Sequence, residues 1–246
     1  MKLIEATGRC VRSLRELIWH NYCRNCKSII SHEDQFFCSQ CTSKIGLCFV
    51  DNYCRRCGRE IGEFTEIRNC PKCEDENYIF DEISCVGIYK PPLSNLILSF
   101  KLADQTALTR VLGDFAQKAF VRSGFLNQSD YLVPVPMHVI NLFKRGFNQS
   151  YLIAKKIVQP GMEINCDLVR VRYTKTQTSV TFAQRSQNVR NAFAVRKNHN
   201  FSNKNICLID DVKTSGATLN ECAKVLKEAG AKKVFAFVLA VAGQGK

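Results

Sequence analysis

The sequence predicts a parallel-sheet α/β domain preceded by a small, cysteine-rich, metal-binding module. Eleven of the 14 cysteines lie within the first 85 residues, where long apolar runs are few. Such a segment cannot build a large core, and metal binding can supply the missing folding energy. From about residue 79, apolar strands alternate with helices, a pattern typical of parallel sheets. We therefore expect residues 1–78 to form an N-terminal helix and a double metal module, and residues 79–246 to form the α/β domain.

The individual elements are predicted from apolar spacing, caps and helix breakers. Apolar residues at helical spacing predict a short amphipathic helix over residues 9–20. Asp104 is a residue type found at helix N-caps, and Gly230 is the type expected at a helix C-cap. In chain order, the α/β domain should contain a strand over 83–89, helices that begin after Pro92 and after Asp104, a strand over 131–136, a helix over 148–158, a strand over 206–210, a helix over 217–229 and a strand over 234–242.

The composition is that of a folded protein, with 46% apolar and 23% charged residues. The longest apolar stretch, at 234–242, is well short of the roughly 20 residues that a membrane-spanning helix needs. Charged residues throughout positions 1–22 interrupt the apolar stretch that a secretory signal requires. We expect no membrane span and a cytoplasmic location.

The formal net charge of +13 is unevenly distributed along the chain. Residues 1–85 hold 12 Lys/Arg and 13 Asp/Glu, a net charge of −1, whereas residues 86–246 hold 23 and 9, a net charge of +14. A basic domain of this kind favours anionic ligands, either phosphorylated small molecules or a nucleic-acid backbone. A solvated basic surface without a dedicated partner is the alternative.

Eight of the cysteines form four C-x-x-C pairs, at Cys23/Cys26, Cys38/Cys41, Cys54/Cys57 and Cys70/Cys73. Two such turns supply the four thiolates of a closed tetrahedral zinc site, so the four pairs predict two structural zinc ions with no open position for a substrate. A redox-active dithiol is disfavoured because the thioredoxin-like context is absent. The near-equal gaps do not separate consecutive from interleaved pairing; we favour consecutive pairing because it closes shorter loops.

The most informative segment runs from residue 206 to 230, with the sequence ICLIDDVKTSGATLNECAKVLKEAG. A strand ends at Asp210 and Asp211, and a loop from Lys213 to Thr218 with three hydroxyls leads directly into a helix. Helix N-terminal amides and short hydroxyls suit a phosphate, while adjacent carboxylates suit sugar hydroxyls or a magnesium ion. The pattern predicts a sugar-phosphate site. A turn capped by Ser or Thr is the alternative, and the sequence contains no Walker motif.

The same segment carries a family resemblance. LIDDVKTSGAT resembles the phosphoribosyl pyrophosphate (PRPP) motif of type I phosphoribosyltransferases, and the wider chain resembles the ComF family of competence proteins, which includes ComFC and GntX-type members. The family resemblance rests on the C-x-x-C pairs, FK at 100–101, VPVPMH at 133–138, KRGFNQS at 144–150, the PRPP loop, and a segment containing Thr176, Gln177, Arg185, Asn188, Val189 and Phe193. It implies a type I phosphoribosyltransferase-like α/β domain.

The resemblance also implies roles for individual residues. Asp210 and Asp211 would be the catalytic pair that holds the ribose hydroxyls of PRPP, which binds together with Mg²⁺. The 5′-phosphate would be bound by Thr214, Ser215, Gly216, Ala217 and Thr218. VPVPMH would face the pyrophosphate, and the nearest basic candidates are His138, Lys144 and Arg145. Arg145 and Asn148 could face the ligand edge of the sheet, or Asn148 could simply cap a helix.

This chain departs from the family pattern at three places. Val139-Ile140-Asn141 follows VPVPMH where many relatives have a basic pair, a difference that bears on turnover. Lys213 stands where an apolar residue is common, and Ser215 replaces a frequent threonine while preserving the hydroxyl.

The resemblance finally implies handling of single-stranded DNA during natural transformation, and a DNA-uptake helicase is a candidate partner if the protein acts by binding alone. Residues 144–197 hold eleven Lys/Arg against two acids, with aromatic residues interleaved, a composition that suits single-stranded nucleic acid. The alternative is that the aromatic residues are core and the charges are surface. Two functions stay open: phosphoribosyl transfer to an acceptor, or ligand sensing and DNA binding without turnover.

Overall fold

The computed structural model describes residues 21–30, 36–62, 70–74, 76–102, 105–173 and 184–243. The helix expected over residues 9–20 lies outside these described residues. The chain forms two compact units, Met1–Leu47 and Cys48–Lys246. The second unit contains both the α/β domain and the third and fourth C-x-x-C pairs.

Hydrogen bonds to the first strand of the sheet explain why residues 48–62 belong to the second unit. This strand, which we number β3, spans Glu82–Ile88. The amide of Ile88 donates to the Cys48 carbonyl oxygen, and the amide of Ile83 donates to the Arg55 carbonyl oxygen, each at 2.8 Å. Gly87 lies so close that a Cβ atom there would collide with the Cys48 carbonyl oxygen. Residues 48–55 therefore cover an edge strand that would otherwise expose unpaired backbone groups.

The first unit has a small buried cluster. Strand β1 (Asn21–Tyr22) pairs with antiparallel β2 (Ile29–Ile30), and helix α1 spans Ser39–Gly46. Within the described residues, its buried cluster consists of Cys23, Ile30 and Cys41, with Phe37 and Cys38 packed against it. The small size of this buried cluster agrees with the expectation that metal binding stabilises this region.

The second unit is built on a parallel sheet, which confirms the predicted fold class. Its other strands are β4 (Tyr131–Pro134), β5 (Glu163–Ile164), β8 (Asn205–Lys213) and β9 (Lys233–Val241). The five strands are all parallel, in the order β3-β9-β8-β4-β5. A separate antiparallel pair is formed by β6 (Leu168–Arg170) and β7 (Phe193–Val195).

Six α-helices of the second unit lie within the described residues. In chain order they are α2 (Leu93–Leu102), α3 (Gln105–Ser123), α4 (Val139–Arg145), α5 (Gln149–Ile157), α6 (Gln184–Val189) and α7 (Ala217–Glu228). Within the described residues, no helix combines the length and the apolar composition that crossing a membrane requires.

The core lies on both faces of the two central strands, β8 and β9. Their apolar residues are almost all buried, as the uninterrupted apolar runs in the sequence predict. Aromatic pairs anchor the helical layer to β9: the Phe125 and Phe235 rings stack with centroids 4.7 Å apart, and the Phe120 and Phe237 rings meet edge to face at 5.3 Å. Burying each such ring contributes roughly 1.5–3 kcal/mol.

Three elements differ from the sequence-based expectation. Strand β8 continues past residue 210 because it pairs with β9 as far as Lys213, opposite Val241. Helix α4 forms where we expected a loop, because His138 caps its first turn and Gly146, with a φ of +82°, ends it. The β6–β7 pair was not predicted.

Candidate functional site

The carboxyl ends of β4 and β8 meet at one edge of the sheet because these strands are parallel neighbours. Pro134 pairs with Ile209, and the amide of Val135 donates to the Ile209 carbonyl oxygen at 2.9 Å. The VPVPMH segment and the acidic pair therefore leave the sheet side by side. Ligands of open α/β sheets bind outside this edge.

Asp210, the first acid of the pair, lies in a desolvated position at the end of β8. Its Oδ1 atom accepts hydrogen bonds from the Ser150 hydroxyl at 3.1 Å and from the Asp211 amide at 2.9 Å. Desolvation, and then the negative charge of Asp211, raise the pKa of Asp210 from its ordinary 3.8 to about 7. Near neutral pH, this carboxyl can therefore either donate or accept a hydrogen bond.

Asp211, the second acid, is paired with a lysine that the sequence analysis gave no role. The Lys101 Nζ atom lies 2.7 Å from Asp211 Oδ2, and Lys101 stands in the last turn of α2. The two adjacent carboxylates thus have different surroundings: one is desolvated and the other is ion-paired. The FK motif was the only signal in the sequence that could have drawn attention to Lys101.

The predicted phosphate-binding residues form the turn between β8 and α7. Gly216 has a φ of +82°, a left-handed conformation that glycine adopts without strain, and α7 begins at the next residue. The Ser215 hydroxyl accepts a hydrogen bond from the Ala217 amide at 3.4 Å. The N-terminus of this 12-residue helix presents backbone N–H groups with no intrahelical acceptor, a chemistry that suits an anion.

Lys213 does not belong to the ligand-facing loop that the sequence predicts around it. It is the last residue of β8, its side chain is only 1% exposed, and its Nζ atom donates to the Tyr78 hydroxyl at 2.9 Å. Lys213 is therefore a buried side chain whose polar end is bound internally.

The KRGFNQS segment holds one cap and one buried donor. Asn148 caps α5, because its Oδ1 accepts from the Ser150 amide and its Nδ2 donates to the Val135 carbonyl oxygen, both at 3.0 Å. Arg145 donates to Gln149 Oε1 at 2.9 Å. Gln149 is 2% exposed, and its Nε2 atom has no hydrogen-bond partner within the described part of the chain. A buried amide without a partner is unusual in a protein and fits a ligand site.

Helix α4, which carries the Val139-Ile140-Asn141 departure, lies at the surface. Phe143 is 85% exposed, and no residue of this helix is buried. His138 is engaged as the helix cap, since its Nδ1 atom accepts from the Ile140 amide at 3.3 Å. Of the basic candidates for the pyrophosphate, Lys144 and Arg145 stand in the last turn of this helix.

The four C-x-x-C pairs converge into two clusters in consecutive order, which confirms the favoured pairing. The first cluster contains Cys23, Cys26, Cys38 and Cys41, and the second contains Cys54, Cys57, Cys70 and Cys73; within each, all Sγ atoms lie within 4.8 Å of one another. Individual Sγ–Sγ distances are 3.7 Å for Cys26–Cys38, 3.8 Å for Cys54–Cys73 and 3.6 Å for Cys57–Cys70. A tetrahedral zinc ion with bonds of about 2.3 Å separates its sulfurs by roughly 3.8 Å. Both clusters could therefore hold zinc.

Comparison with known proteins identifies the family. A family model described as the phosphoribosyl transferase domain matches residues 105–246. Competence protein F of Haemophilus influenzae is 31% identical over 225 residues, which cover 89% of this chain and 96% of that protein. The chain belongs to the ComF family. Two further relatives are similar to this ComF family member: DNA utilization protein YhgH of Salmonella typhi, 29% identical over 189 residues (74% of this chain and 80% of that protein), and competence protein ComFC of Bacillus subtilis, 27% identical over 214 residues (84% of each).

Several residues that shape the site of this ComF family member lie outside its phosphoribosyl transferase match. Lys101, which pairs with Asp211, and Tyr78, which binds Lys213, both precede residue 105. The second cysteine cluster also precedes the matched segment, although it lies in the same compact unit as the sheet. The described site is therefore assembled from the matched domain and from the residues before it.

Proposed function

We propose that this ComF family member binds PRPP together with Mg²⁺ at the carboxyl edge of its sheet. The observation that carries the proposal is the acidic pair at the end of β8, followed directly by a glycine turn at the N-terminus of α7. In this arrangement the ribose hydroxyls bind Asp210 and Asp211. The 5′-phosphate accepts hydrogen bonds from the loop amides and from the hydroxyls of Thr214, Ser215 and Thr218.

The two carboxylates contribute differently to the proposed chemistry. Asp210 exchanges hydrogen bonds with a ribose hydroxyl in either protonation state, because its pKa is raised to about 7. Asp211, which is ion-paired with Lys101, stabilises positive charge that develops at the anomeric carbon as pyrophosphate leaves. Mg²⁺, when bound, neutralises charge on the pyrophosphate. Arg145 and the buried Gln149 amide supply donors from the adjacent α4–α5 segment, and the protein acts by positioning and charge stabilisation.

Isothermal titration with PRPP, with and without Mg²⁺, tests the site. Replacing both carboxylates, Asp210→Asn with Asp211→Asn, should leave a folded protein whose affinity for Mg²⁺–PRPP is reduced by about two orders of magnitude or more, since both ribose contacts lose their charge. The matched control is Asp114→Asn, which neutralises an exposed acid on α3. Equal binding by the double variant and the control would contradict the proposal.

Turnover is tested separately from binding. Pyrophosphate release from PRPP is measured with a panel of nucleobase acceptors, in the presence of Mg²⁺. Release that depends on an acceptor and is lost in the double Asn variant supports a phosphoribosyltransferase. Binding without release supports a ligand-sensing protein that retains the fold.

We also propose that the protein handles single-stranded DNA, in the cytoplasm and with a helicase partner. The net charge of +14 on residues 86–246 supports this, as do the competence and DNA utilization names of relatives. Two arginines of this basic region have internal partners: the Arg170 guanidinium lies 5.3 Å from the Phe193 ring centroid, and Arg172 donates to the carbonyl oxygens of Asn188 and Arg190.

The DNA-binding test uses an exposed cation and an aromatic ring on α5. The Lys155 Nζ atom lies 5.9 Å from the Tyr151 ring centroid, and both residues are exposed. Lys155→Gln with Tyr151→Ala should weaken single-stranded DNA binding and reduce the slope of log affinity against log salt by about 0.7, the value for one phosphate contact. Lys224→Gln, on the exposed surface of α7, is the control. Unchanged affinity and slope would exclude this surface.

We finally propose that each cysteine cluster holds one structural zinc ion. Four thiolates complete the tetrahedral coordination, so neither ion offers a position to a substrate. The fit of the Sγ–Sγ distances to tetrahedral zinc supports this assignment.

A further inference from the structure

We propose that the second cysteine cluster and the phosphate loop are coupled, so that a metal ion at the cluster strengthens ligand binding at the loop. The second cluster is Cys54, Cys57, Cys70 and Cys73, and the phosphate loop is residues 214–218. Between them lies a connecting segment, residues 76–79, in which Tyr78 is the central positioning residue. Lys213, directly before the loop, donates a hydrogen bond to Tyr78. The inference rests on the proposed PRPP site and adds a means of controlling it.

Glu76, the first residue of the connecting segment, fixes the segment to the second cluster. The Glu76 amide donates to the carbonyl oxygen of the ligand residue Cys73 at 3.1 Å. Arg56, inside the third C-x-x-C turn, donates to the Glu76 carbonyl oxygen at 2.9 Å, and Arg59 binds Glu76 Oε1 at 2.6 Å. Tyr78 packs against both the cluster and the main core. The position of residues 76–78 therefore depends on the folded cysteine turns.

The connecting segment is fixed to the phosphate loop before, within and after it. Before the loop, Lys213 donates to the Tyr78 hydroxyl at 2.9 Å. Within the loop, the Tyr78 ring lies against Gly216, since a Cβ atom there would be 2.9 Å from Tyr78 Cε1. After the loop, Asn220 accepts from the Ile79 amide at 2.9 Å and donates to the Asn77 carbonyl oxygen at 3.0 Å.

Buried charges make this connection hard to break. A chain of hydrogen bonds runs from Lys213 to the Tyr78 hydroxyl, from that hydroxyl to Glu76, and from Arg59 to the same carboxylate. Lys213 and Arg59 are 1% and 8% exposed. A buried ammonium that loses its acceptor is strongly destabilised, so a displacement of Tyr78 must also displace Lys213 at the start of the loop. Lys213 thereby couples the loop to the cysteine region, a link that an apolar residue at this position would not make.

The coupling must act in both directions. If metal at the second cluster raises the affinity of the loop for a phosphoribosyl ligand, the ligand must raise the affinity of the cluster for metal by the same factor. The first cluster, in the unit Met1–Leu47, provides an internal reference.

The first experiment compares loss of one ligand from each cluster in the full-length, zinc-loaded protein. Cys73→Ser should accelerate hydrogen exchange of the amides of residues 214–219 several-fold and weaken Mg²⁺–PRPP binding about tenfold. The matched variant Cys26→Ser should change neither. Equal effects of the two variants on exchange would overturn the proposal.

The second experiment leaves every cysteine in place. Tyr78→Phe removes the hydroxyl but keeps the ring against Gly216, and Lys213→Met replaces the ammonium with an apolar side chain of similar length. Both should retain their full zinc content, weaken Mg²⁺–PRPP binding about fivefold or more, and accelerate exchange of the loop amides. Tyr53→Phe is the control, because its hydroxyl binds Ser84 rather than the loop.

A third readout separates coupling from general destabilisation. PRPP should slow the release of zinc from the second cluster to a chelator in the wild-type protein, and this protection should vanish in Lys213→Met. Protection that persists in Lys213→Met would overturn the assigned connection.

The outcomes also separate this inference from the proposed function. If the wild-type protein binds no PRPP, the proposed function fails, and hydrogen exchange in the variants still decides the coupling. If the wild-type protein binds PRPP and Tyr78→Phe and Lys213→Met match it in affinity and exchange, the coupling fails while the function stands. If Cys73→Ser does not fold, Tyr78→Phe and Lys213→Met, which keep all cysteines, decide whether the cluster and the loop are coupled.

Discussion

Asp210→Asn is expected to stabilise the second unit above neutral pH while weakening its proposed ligand site. The native state raises the pKa of Asp210 from 3.8 to about 7, so folding disfavours the ionised form by roughly 3 pK units. At about 1.4 kcal/mol per unit, the penalty reaches about 4 kcal/mol. The native state binds this proton more tightly than the unfolded chain does. The penalty is therefore small below about pH 4, grows between about pH 4 and 7, and is constant above that range.

Asparagine removes the penalty and keeps the local geometry, because its Oδ1 atom can still accept from the Ser150 hydroxyl and the Asp211 amide. Local relaxation and hydration recover part of the cost in the wild-type protein, so we expect a gain of about 2–4 kcal/mol at about pH 8. For a domain of this size, a gain of about 3 kcal/mol corresponds to a Tm increase of roughly 6–12 °C.

The assay is calorimetry of the ligand-free protein at about pH 4 and about pH 8, with Asp114→Asn as the exposed control. The Asp210 variant should gain stability mainly at the higher pH, and the control should match the wild type at both. A variant that is no more stable than the wild type at the higher pH would refute the argument. So would an equal gain at both pH values, because the cause would then not be ionisation.

Three further predictions follow from the clusters, the loop and the α5 cap. Metal analysis of reduced protein should give about two zinc ions per chain, and zinc-free protein would contradict this. Cys26→Ser should remove one zinc ion and unfold the first unit, while the second unit keeps its thermal unfolding transition. Gly216→Ala should weaken Mg²⁺–PRPP binding at least tenfold in a titration, because a φ of +82° is strained for alanine and its Cβ would press on Tyr78; Gly62→Ala, at a glycine with open space around it, should bind normally. Asn148→Ala should lower the free energy of unfolding by about 1 kcal/mol in urea titrations, and no loss would show that the cap is not needed.

The parts of the fold that follow from periodicity could be predicted from the sequence. The apolar runs of β8 and β9 predicted a parallel sheet because strands buried on both faces must be apolar throughout. The spacing of the cysteines predicted the clusters, since a C-x-x-C turn brings two thiolates together locally. The contact of residues 48–55 with β3 could not be predicted. It depends on backbone hydrogen bonds between residues 48–55 and β3, and backbone groups carry no signature in the sequence.

Prediction of the candidate site from the sequence is limited in the same way. Local order placed Asp210, Asp211 and the phosphate loop together, because they are consecutive at a strand end. Lys101 and Tyr78 were not found, since their partners are distant in the chain and only the tertiary fold selects them.

Those two partners alter what the acidic pair can do. Two neighbouring carboxylates in identical surroundings would repel each other and share one proton equally. Here Lys101 binds Asp211, while desolvation raises the pKa of Asp210 to about 7, so Asp211 is ion-paired and Asp210 exchanges its proton near neutral pH. Lys213, two residues further along β8, is buried and donates to the Tyr78 hydroxyl. Lys101 and Tyr78, the partners of Asp211 and Lys213, both precede the matched domain, which begins at residue 105. Lys101→Met should accordingly weaken Mg²⁺–PRPP binding or shift its pH dependence, whereas exposed Lys118→Met on α3 should do neither.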